Sequence, residues 1–302
     1  MRLGQALASV ALIGSLVACV EALAAQSPAG GAASAAVAPG DFALQGPLSQ
    51  GGMVIGTAPA GTTVLTLDGA PIRLAPDGRF LIGFGRDHGP AALLVATRGD
   101  GTMVRDPLTI APRQWHIEAL PIPKGTTPTP EFLAKRKLEL DQIAAARALL
   151  PESDGWRQRF AWPVIGRISG LFGSQRIYQG EKGSFHSGLD IAQPTGTPVA
   201  APADGVVILA ADHPFSLEGN LLMIDHGMGL SSSFLHLSRI DVHVGDQVRQ
   251  GQPIGLVGMT GRATGPHLHW SLRWRDERLD PLLLMGGPPP GQTLPVEGAS
   301  GD

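Results

Sequence analysis

Residues 267–273 read His-Leu-His-Trp-Ser-Leu-Arg, and polar and apolar side chains alternate through the whole stretch. Because side chains on a β-strand alternate between its two faces, we expect His267, His269, Ser271 and Arg273 to share one face. The apolar residues between them would then enter a core. This stretch therefore predicts a β-sheet domain that carries two imidazoles together on its polar face.

The composition favours the same fold class. The chain has 302 residues, of which 43% are hydrophobic and 16% charged, and it is long enough for two packed domains. Its 41 glycines and 26 prolines are spread along the chain, which is typical of short strands joined by tight turns. The formal net charge of -3 provides no global basic field, so we expect no nucleic-acid partner.

Shifts in composition divide the chain, and we expect a mainly β protein. A small N-terminal β-sandwich, one connecting helix and a C-terminal antiparallel β domain with a barrel-like core are predicted. The predicted divisions are a signal peptide at 1–25, a flexible tether at 26–40, the sandwich at 41–122, a linker and helix at 123–155, the C-terminal domain at 156–285 and a disordered tail at 286–302.

The connecting helix is predicted over Glu131–Leu150 from its helical period. Its expected apolar side consists of Phe132, Leu133, Leu138, Leu140, Ile143 and Ala144. Its expected solvated side carries Lys135, Arg136, Glu139 and Asp141. The helix should pack as a connector between the domains, with its charges in water.

The N-terminus predicts export. A basic residue, an apolar run from Leu3 to Val20 and small residues up to Ala25 follow the order of a secretory signal. Cys19 is the one cysteine, so no disulfide can form within the chain. Residues 16–19, Leu-Val-Ala-Cys, resemble a bacterial lipobox, so a lipid anchor at Cys19 and cleavage to a soluble protein stay open alternatives. We expect the periplasm or cell envelope, and a monomer.

Three side chains of the C-terminal domain are of the types that bind catalytic zinc, which takes three protein ligands and leaves one position open. His186 and Asp190 lie four residues apart, and nearby Gly188 and Pro194 argue against a helical zinc motif. A third ligand can come from the His-x-His at 267–269. Among its apolar neighbours, His236 taken alone would be read as a core histidine.

Five motifs in the same order carry a family resemblance. They are Gly-Arg-Ile-Ser-Gly-Leu-Phe-Gly at 166–173, His-Ser-Gly-Leu-Asp-Ile-Ala at 186–192, Gly-Thr-Pro-Val-Ala-Ala-Pro-Ala-Asp-Gly at 196–205, His-Leu-Ser at 236–238 and Gly-Met-Thr-Gly-Arg-Ala-Thr-Gly-Pro-His-Leu-His at 258–269. The block from 160 to 284 resembles the M23, or lysostaphin/LytM-type, zinc metallopeptidases. The resemblance covers under half of the chain.

The resemblance implies a role for each matching position. His186, Asp190 and His269 would bind Zn²⁺, and His236 and His267 would assist the attacking water and the charged tetrahedral intermediate. Relatives that act only as activators of other cell-wall enzymes lack some of these residues, whereas this chain has all five. The implied activity is hydrolysis of peptide bonds in peptidoglycan stem peptides or cross-links by a zinc metalloendopeptidase, with peptidoglycan peptides as partners.

Histidine chemistry agrees with these roles, because an imidazole with a pKa near 6.5 can take up and return a proton at neutral pH. Which of His236 and His267 is the general base stays open. Tyr178, the one tyrosine, precedes His186 by eight residues and is a further candidate for contacting the substrate carbonyl. His213, His226 and His243 match no ligand position and are interpreted as loop or turn residues.

Two non-enzymatic functions are alternatives to the peptidase. Residues 244–258 also resemble a lipoyl or biotinyl carrier, but such carriers attach their cofactor to a lysine, and no lysine follows Lys182. A non-catalytic peptidoglycan-binding regulator or amidase activator is the second alternative. The bond that is cut and any inhibition by the N-terminal domain cannot be read from the residues.

Overall fold

The computed structural model describes residues 41–125, 127–289, 291–292 and 294. The predicted signal peptide, the tether at 26–40 and Cys19 lie outside the described residues, as do residues 295–302 of the predicted tail. Within the described ranges, no helix is both long enough and apolar enough to cross a bilayer.

Seven strands form two antiparallel sheets in the N-terminal part. They are β1 (Ala43–Gln45), β2 (Met53–Thr57), β3 (Thr62–Leu67), β4 (Ala70–Ile72), β5 (Arg79–Gly83), β6 (Ala91–Arg98) and β7 (Met103–Thr109). One sheet has the order β1–β2–β5 and the other β4–β3–β6–β7. Leu65, Phe80 and Leu94 belong to their shared apolar core. The predicted pattern of short strands and tight turns is confirmed here.

A third sheet joins sequence segments on both sides of the connecting helix. Its strands are β8 (Ile117–Leu120), β10 (Gln175–Tyr178) and β11 (Glu181–Phe185). β8 runs parallel to β10, and β10 forms an antiparallel hairpin with β11. The packing is therefore continuous across residue 122, and the domain boundary placed there stays a prediction.

Helix α1 (Pro130–Ala148) begins after Thr129, whose side chain accepts a hydrogen bond from the backbone of Phe132. The predicted helix is thus confirmed to within two residues at each end. The prediction of its faces was wrong, because Leu133, Leu138 and Leu140 are exposed while Glu139 is buried. Ile143 and Ala146 are its buried apolar residues.

The buried position of Glu139 has a hydrogen-bonding cause. Its carboxylate accepts bonds from the backbone and side chain of Ser216, both at 2.7 Å, and from Arg136 at 3.1 Å. Arg136 also binds Glu218 through two bonds of 2.6 and 2.7 Å. These polar contacts orient α1, whose apolar period is too weak to do so alone.

The C-terminal part is built on an eight-stranded sheet. Its strands are β9 (Arg167–Gly170), β12 (Leu189–Ala192), β14 (Gly205–Ala210), β15 (Asn220–Gly227), β16 (Leu230–Leu237), β18 (Gln247–Val248), β20 (His267–Trp274) and β21 (Glu277–Leu279). The order is β18–β14–β15–β16–β20–β12–β9, with β21 paired to β20. The end strands β18 and β9 do not pair with each other in the described part, so this sheet stays open and the predicted barrel-like core is not a closed barrel.

The remaining elements complete this part. They are a 3₁₀-helix (Gly155–Arg157), the small antiparallel sheet of β13 (Pro198–Ala200), β19 (Pro253–Leu256) and β17 (Arg239–Ile240), and helix α2 (Pro281–Met285). Between β15 and β16 the turn residues Met228 and Gly229 both have positive φ, 55° and 79°, as a two-residue hairpin turn requires. The prediction of a mainly β, antiparallel architecture is confirmed.

The alternation predicted for β20 is confirmed. Leu268, Trp270 and Leu272 are at most 1% exposed and lie in the main core, together with Phe234 of β16. The pairing of β20 with β16 has an uninterrupted register, with Leu235 opposite His269. We call the opposite face, which carries His267, His269, Ser271 and Arg273, the site face. Helix α1 packs against this face, since Ile143 clusters with Met223 and Leu235.

One buried ion pair links the segment after β7 to the C-terminal part. Arg113 lies 2.8 Å from Asp280, whose side chain is 3% exposed. Asp280 also caps α2 by accepting a bond from the backbone of Leu282. Burial raises the pKa of Asp280, although Arg113 opposes this effect. The carboxylate therefore depends on Arg113 to stay ionised at low energetic cost.

Replacing Arg113 by alanine is expected to lower the free energy of unfolding by about 3 kcal/mol, because it leaves a buried charge without its partner. A carboxyl group with a raised native pKa is favoured when protonated, so the loss should be larger at pH 8 than at pH 5. Chemical denaturation at both pH values measures it. Arg239→Ala, which removes an exposed partner of Asp241, is the control and should cost less than about 1 kcal/mol. Equal losses for the two variants would contradict this account.

Candidate metal centre

Three side chains from separate parts of the C-terminal sequence converge on the site face. Asp190 of β12 and His269 of β20 are direct partners across the antiparallel pair, so both side chains leave the sheet on the same side. His186 lies between β11 and β12 and approaches from the loop. One nitrogen or oxygen of each residue lies within 4.8 Å of the other two, and together these three form a group that could hold a metal ion.

Hydrogen bonds orient the ligand atoms of these three residues towards a single point. The Nδ1 of His186 lies 2.9 Å from the carbonyl oxygen of Leu171, which is an acceptor only, so Nδ1 carries a proton and Nε2 is turned towards the other two residues. That Nε2 lies 3.0 Å from Asp190 Oδ1 and 3.0 Å from His269 Nδ1. His269 Nδ1 is 2.8 Å from the same Oδ1.

The three groups influence one another: burial would lower the pKa of His186, but its hydrogen bond with Asp190 raises that pKa above its usual value. Burial alone would raise the pKa of Asp190, but hydrogen bonds from His186 and His269 hold it well below its usual range. Burial lowers the pKa of His269, which keeps its ring neutral, although the Asp190 carboxylate opposes this. Two imidazole nitrogens and one carboxylate oxygen form a donor set that fits a divalent transition metal such as zinc.

The loop that carries His186 is supported from the N-terminal part. Arg86, whose side chain is 7% exposed, donates from Nε to the carbonyl oxygen of Gly173 at 2.9 Å. The backbone N–H of Gly173 in turn donates to the carbonyl oxygen of His186 at 2.8 Å. The guanidinium of Arg86 also lies 5.3 Å from the ring of Trp115. The position of His186 thus depends on residues far outside its own motif.

His236 joins the group through an irregular backbone. Leu235 faces the site, so strict alternation would turn His236 to the other side, but its φ of 64° and a bulge opposite β15 reverse its direction. Its ring centroid lies 4.8 Å from that of His267 and 6.3 Å from that of His269. His236 is buried, as its apolar neighbours indicate, but it lies beside two other histidines, and its catalytic role stays a prediction.

Backbone carbonyl groups determine which ring nitrogen of His236 and of His267 carries the proton. His236 Nδ1 lies 2.8 Å from the carbonyl oxygen of Thr260, and His267 Nδ1 lies 2.8 Å from that of Gly265. In the neutral form of each ring Nε2 is therefore the unprotonated nitrogen, and that of His267 lies 3.7 Å from Asp190 Oδ1. Burial lowers the pKa of His236 to about 4, so its ring is neutral at neutral pH.

Tyr178 lies on the hairpin that leads into His186. It pairs with Glu181 at the tip of the β10–β11 hairpin, whereas Gln175 and Phe185 pair at the end next to His186. No hydrogen bond in the described part joins Tyr178 to any of the four histidines of the cluster. His226, interpreted from sequence as a loop or turn residue, is instead fully buried on β15 and lies 2.8 Å from Ser232 Oγ.

Sequence reasoning missed the groups that orient the cluster. The carbonyl oxygens of Leu171, Thr260 and Gly265 carry no side-chain signal, so a motif cannot reveal them. Gly188 could have been recognised, since it stands between two candidate ligands. A Cβ on Gly188 would lie 2.7 Å from His269 Nε2 and 2.5 Å from the carbonyl oxygen of Trp270.

Comparison with known families gives one match that overlaps the cluster. The model of peptidase family M23 matches residues 184–281, which include His186, Asp190, His236, His267 and His269. A crystal structure of a protein from Pseudomonas aeruginosa assigned to peptidase M23 is 30% identical, with a TM-score of 0.61. The match covers 79% of this chain and 95% of that one. The likeness therefore extends beyond the segment that the family model matches.

Curated relatives match over a shorter region. The peptidoglycan DD-endopeptidase ShyA of Vibrio cholerae is 45% identical over 116 residues, which are 38% of this chain and 26% of that protein. The DD-carboxypeptidase/endopeptidase Mpg of Neisseria meningitidis is 40% identical over 121 residues, 40% of this chain and 27% of that protein. The chain thus spans about a quarter of the length of these relatives.

Gly188→Ala is expected to lower the affinity for a divalent metal by at least about tenfold, because the added methyl group displaces the ring of His269. Isothermal titration of the metal-free protein with zinc measures this affinity. Gly265→Ala is the matched control, since a Cβ there meets nothing within 4 Å and Gly265 lies in the same region. If both variants bind zinc as the unchanged protein does, Gly188 has no such role.

Proposed function

The chain belongs to peptidase family M23, and from this premise we propose that it is an exported zinc metalloendopeptidase that hydrolyses peptide bonds in peptidoglycan stem peptides or cross-links. The observation that carries the proposal is the convergence of His186, Asp190 and His269, with two further histidines beside them. The names of the matched relatives, a peptidoglycan DD-endopeptidase and a DD-carboxypeptidase/endopeptidase, support the substrate.

In this proposal zinc is held by His186 through Nε2, by Asp190 through Oδ1 and by His269 through Nδ1. The two imidazoles and the carboxylate are the donor types that catalytic zinc uses, with one position left for water or substrate. When bound, zinc would polarise a carbonyl group and lower the pKa of a bound water to about 7. The ionised state of Asp190 and the neutral state of His269 prepare the chain for this ligand.

His236 and His267 divide the proton transfer and the stabilisation of the developing oxyanion between them. Each presents an unprotonated Nε2 that can accept a proton from an attacking water and return it to the leaving amine. No glutamate stands beside the ligands in the way that a helical His-Glu-x-x-His motif would place one. A contact of Tyr178 with the substrate carbonyl stays a prediction, since its hairpin ends next to His186.

The non-catalytic alternative, a peptidoglycan-binding regulator, receives less support. Such a protein has no need for proton-transfer groups, yet His236 adopts a positive φ that directs its ring to the metal-binding group. Backbone strain of this kind costs about 1–3 kcal/mol and persists where the surrounding structure enforces it. A role in catalysis accounts for this arrangement, and a role in binding peptidoglycan alone does not.

The predicted signal peptide supports export to the periplasm or cell envelope, where peptidoglycan is found. The N-terminus allows two alternatives for the mature protein, which is either anchored by a lipid at Cys19 or soluble. We propose a monomer, since the three donors and both assisting histidines come from one chain.

The zinc content and the activity of single variants test the proposal. The purified protein should contain about one zinc ion per chain and should release soluble fragments from isolated peptidoglycan. His269→Ala should lose both properties, because it removes a ligand. His236→Ala should keep the zinc ion but cut at least about 10²-fold more slowly, because it removes a group that transfers protons. Elemental analysis and chromatography of the fragments measure the two effects.

His213→Ala is the control, because His213 is exposed and pairs with Asp212 away from the cluster. It should change neither property. A protein that holds zinc but releases no fragments would favour the regulator. A protein that binds no zinc would show that the ligand assignment is wrong.

A further inference from the structure

Two loops hold both the backbone and the ring of His236. Its N–H donates to the carbonyl oxygen of Glu218 at 2.8 Å, and its carbonyl oxygen accepts from the N–H of Thr260 at 3.3 Å. The ring Nδ1 lies 2.8 Å from the carbonyl oxygen of Thr260. A histidine with a φ of 64° keeps this conformation only where its surroundings enforce it. The direction of the His236 ring therefore depends on Glu218 and Thr260, which we call the clamp.

The two halves of the clamp are joined to each other. The hydroxyl oxygen of Thr260 accepts a hydrogen bond from the N–H of Asn220 at 2.9 Å. Gly219, next to Glu218, has a φ of 67°, and a Cβ there would lie 2.3 Å from Thr260 Oγ1. The loops thus meet at a point with no space for a side chain. A displacement of Glu218 would therefore also displace Thr260, and both contacts of His236 would change together.

Helix α1 fixes the loop that carries Glu218. Arg136 donates from Nη1 to Glu218 Oε2 at 2.6 Å and from Nη2 to Glu218 Oε1 at 2.7 Å. Two parallel bonds of this kind fix the orientation of both groups, and the side chains are only 15% and 17% exposed. Two residues earlier in the loop, the N–H and the hydroxyl of Ser216 donate to Glu139, each at 2.7 Å. The helix therefore holds this loop at two points.

A single residue separates Arg136 from His236. The carboxylate of Glu218 is bonded to the helix, and the carbonyl oxygen of Glu218 is bonded to His236. By contrast, the neighbouring Lys137 pairs with Asp141 within the helix, and both of these side chains are mostly exposed. The charge of Arg136 is therefore directed to the clamp, whereas that of Lys137 is directed to solvent.

We propose that Arg136 and Glu218 are positioning residues for His236, and that helix α1 is thereby a part of the catalytic site. The inference rests on the proposed function, in which His236 transfers a proton or stabilises the oxyanion. Such a group must stand within hydrogen-bond reach of the reacting atoms, and a displacement of about 1 Å can slow a reaction about 10²-fold. The clamp supplies this precision, and the pairing of Arg136 with Glu218 fixes the clamp to the helix.

A double-mutant cycle tests the inference with the zinc-loaded full chain and a soluble, cross-linked peptidoglycan fragment. Arg136→Gln should lower kcat at least about tenfold and leave KM within about twofold, because His236 is displaced while the contacts that bind the substrate are kept. In a chain that already carries His236→Ala, the same change should lower kcat by less than about twofold, because the residue through which Arg136 acts is gone. Glu218→Gln should repeat both results. An equal loss with and without His236 would show a merely structural role and overturn the inference.

Lys137→Gln is the matched control, because it removes an equal charge from the adjacent position of α1, where the partner is Asp141. It should leave kcat, KM and zinc content unchanged. The zinc content of Arg136→Gln should also equal that of the unchanged protein, since the hydrogen bonds of Arg136 go to Glu139 and Glu218. A loss of zinc in Arg136→Gln would contradict a route through His236.

Hydrogen exchange separates this inference from the proposed function. If the unchanged protein cuts no peptidoglycan, the peptidase proposal fails, and exchange of the backbone N–H of His236 still decides about the clamp. In Arg136→Gln this N–H, which donates to Glu218, should exchange at least about tenfold faster, while that of the buried Leu272 of β20 should not change. Lys137→Gln should change neither rate. Unchanged exchange at His236 in Arg136→Gln, or an equal rise at Leu272, would overturn the inference.

Discussion

The antiparallel pairing of β12 with β20 is the constraint on which the rest of the site depends. Its register places Asp190 directly opposite His269, so a carboxylate and an imidazole leave the sheet side by side. Leu268 and Trp270, on the core face of β20, stabilise the same register, because a shift by one residue would move them from the core to solvent. The hydrophobic core and the geometry of the donor group are therefore set by one pairing.

Around this pair, backbone carbonyl groups decide what the histidines can do. Leu171, Thr260 and Gly265 each accept a hydrogen bond from the Nδ1 of one ring, so the backbone fixes the orientation of His186, His236 and His267. A ring held in this way loses little freedom when it binds a ligand or a proton, and such supporting contacts govern metal affinity nearly as strongly as the ligands themselves. The loops are thus a functional part of the site.

Helix α1 supports one loop of the site. Its contacts through Arg136 and Glu139 tie it to the loop at Ser216 and Glu218, and the backbone N–H of His236 donates to the carbonyl oxygen of Glu218. The connecting helix therefore supports the backbone at His236.

The amino-acid sequence by itself determined the β class, the place of the helix, the alternation of β20 and the family, because each is encoded in local periodicity or in short motifs such as residues 186–190 and 267–269. The position of Tyr178, the orientation of α1 and the turn of His236 towards the site were decided only by the tertiary structure. Each depends on contacts between distant residues, such as Glu139 with Ser216 or β8 with β10, that no local pattern contains.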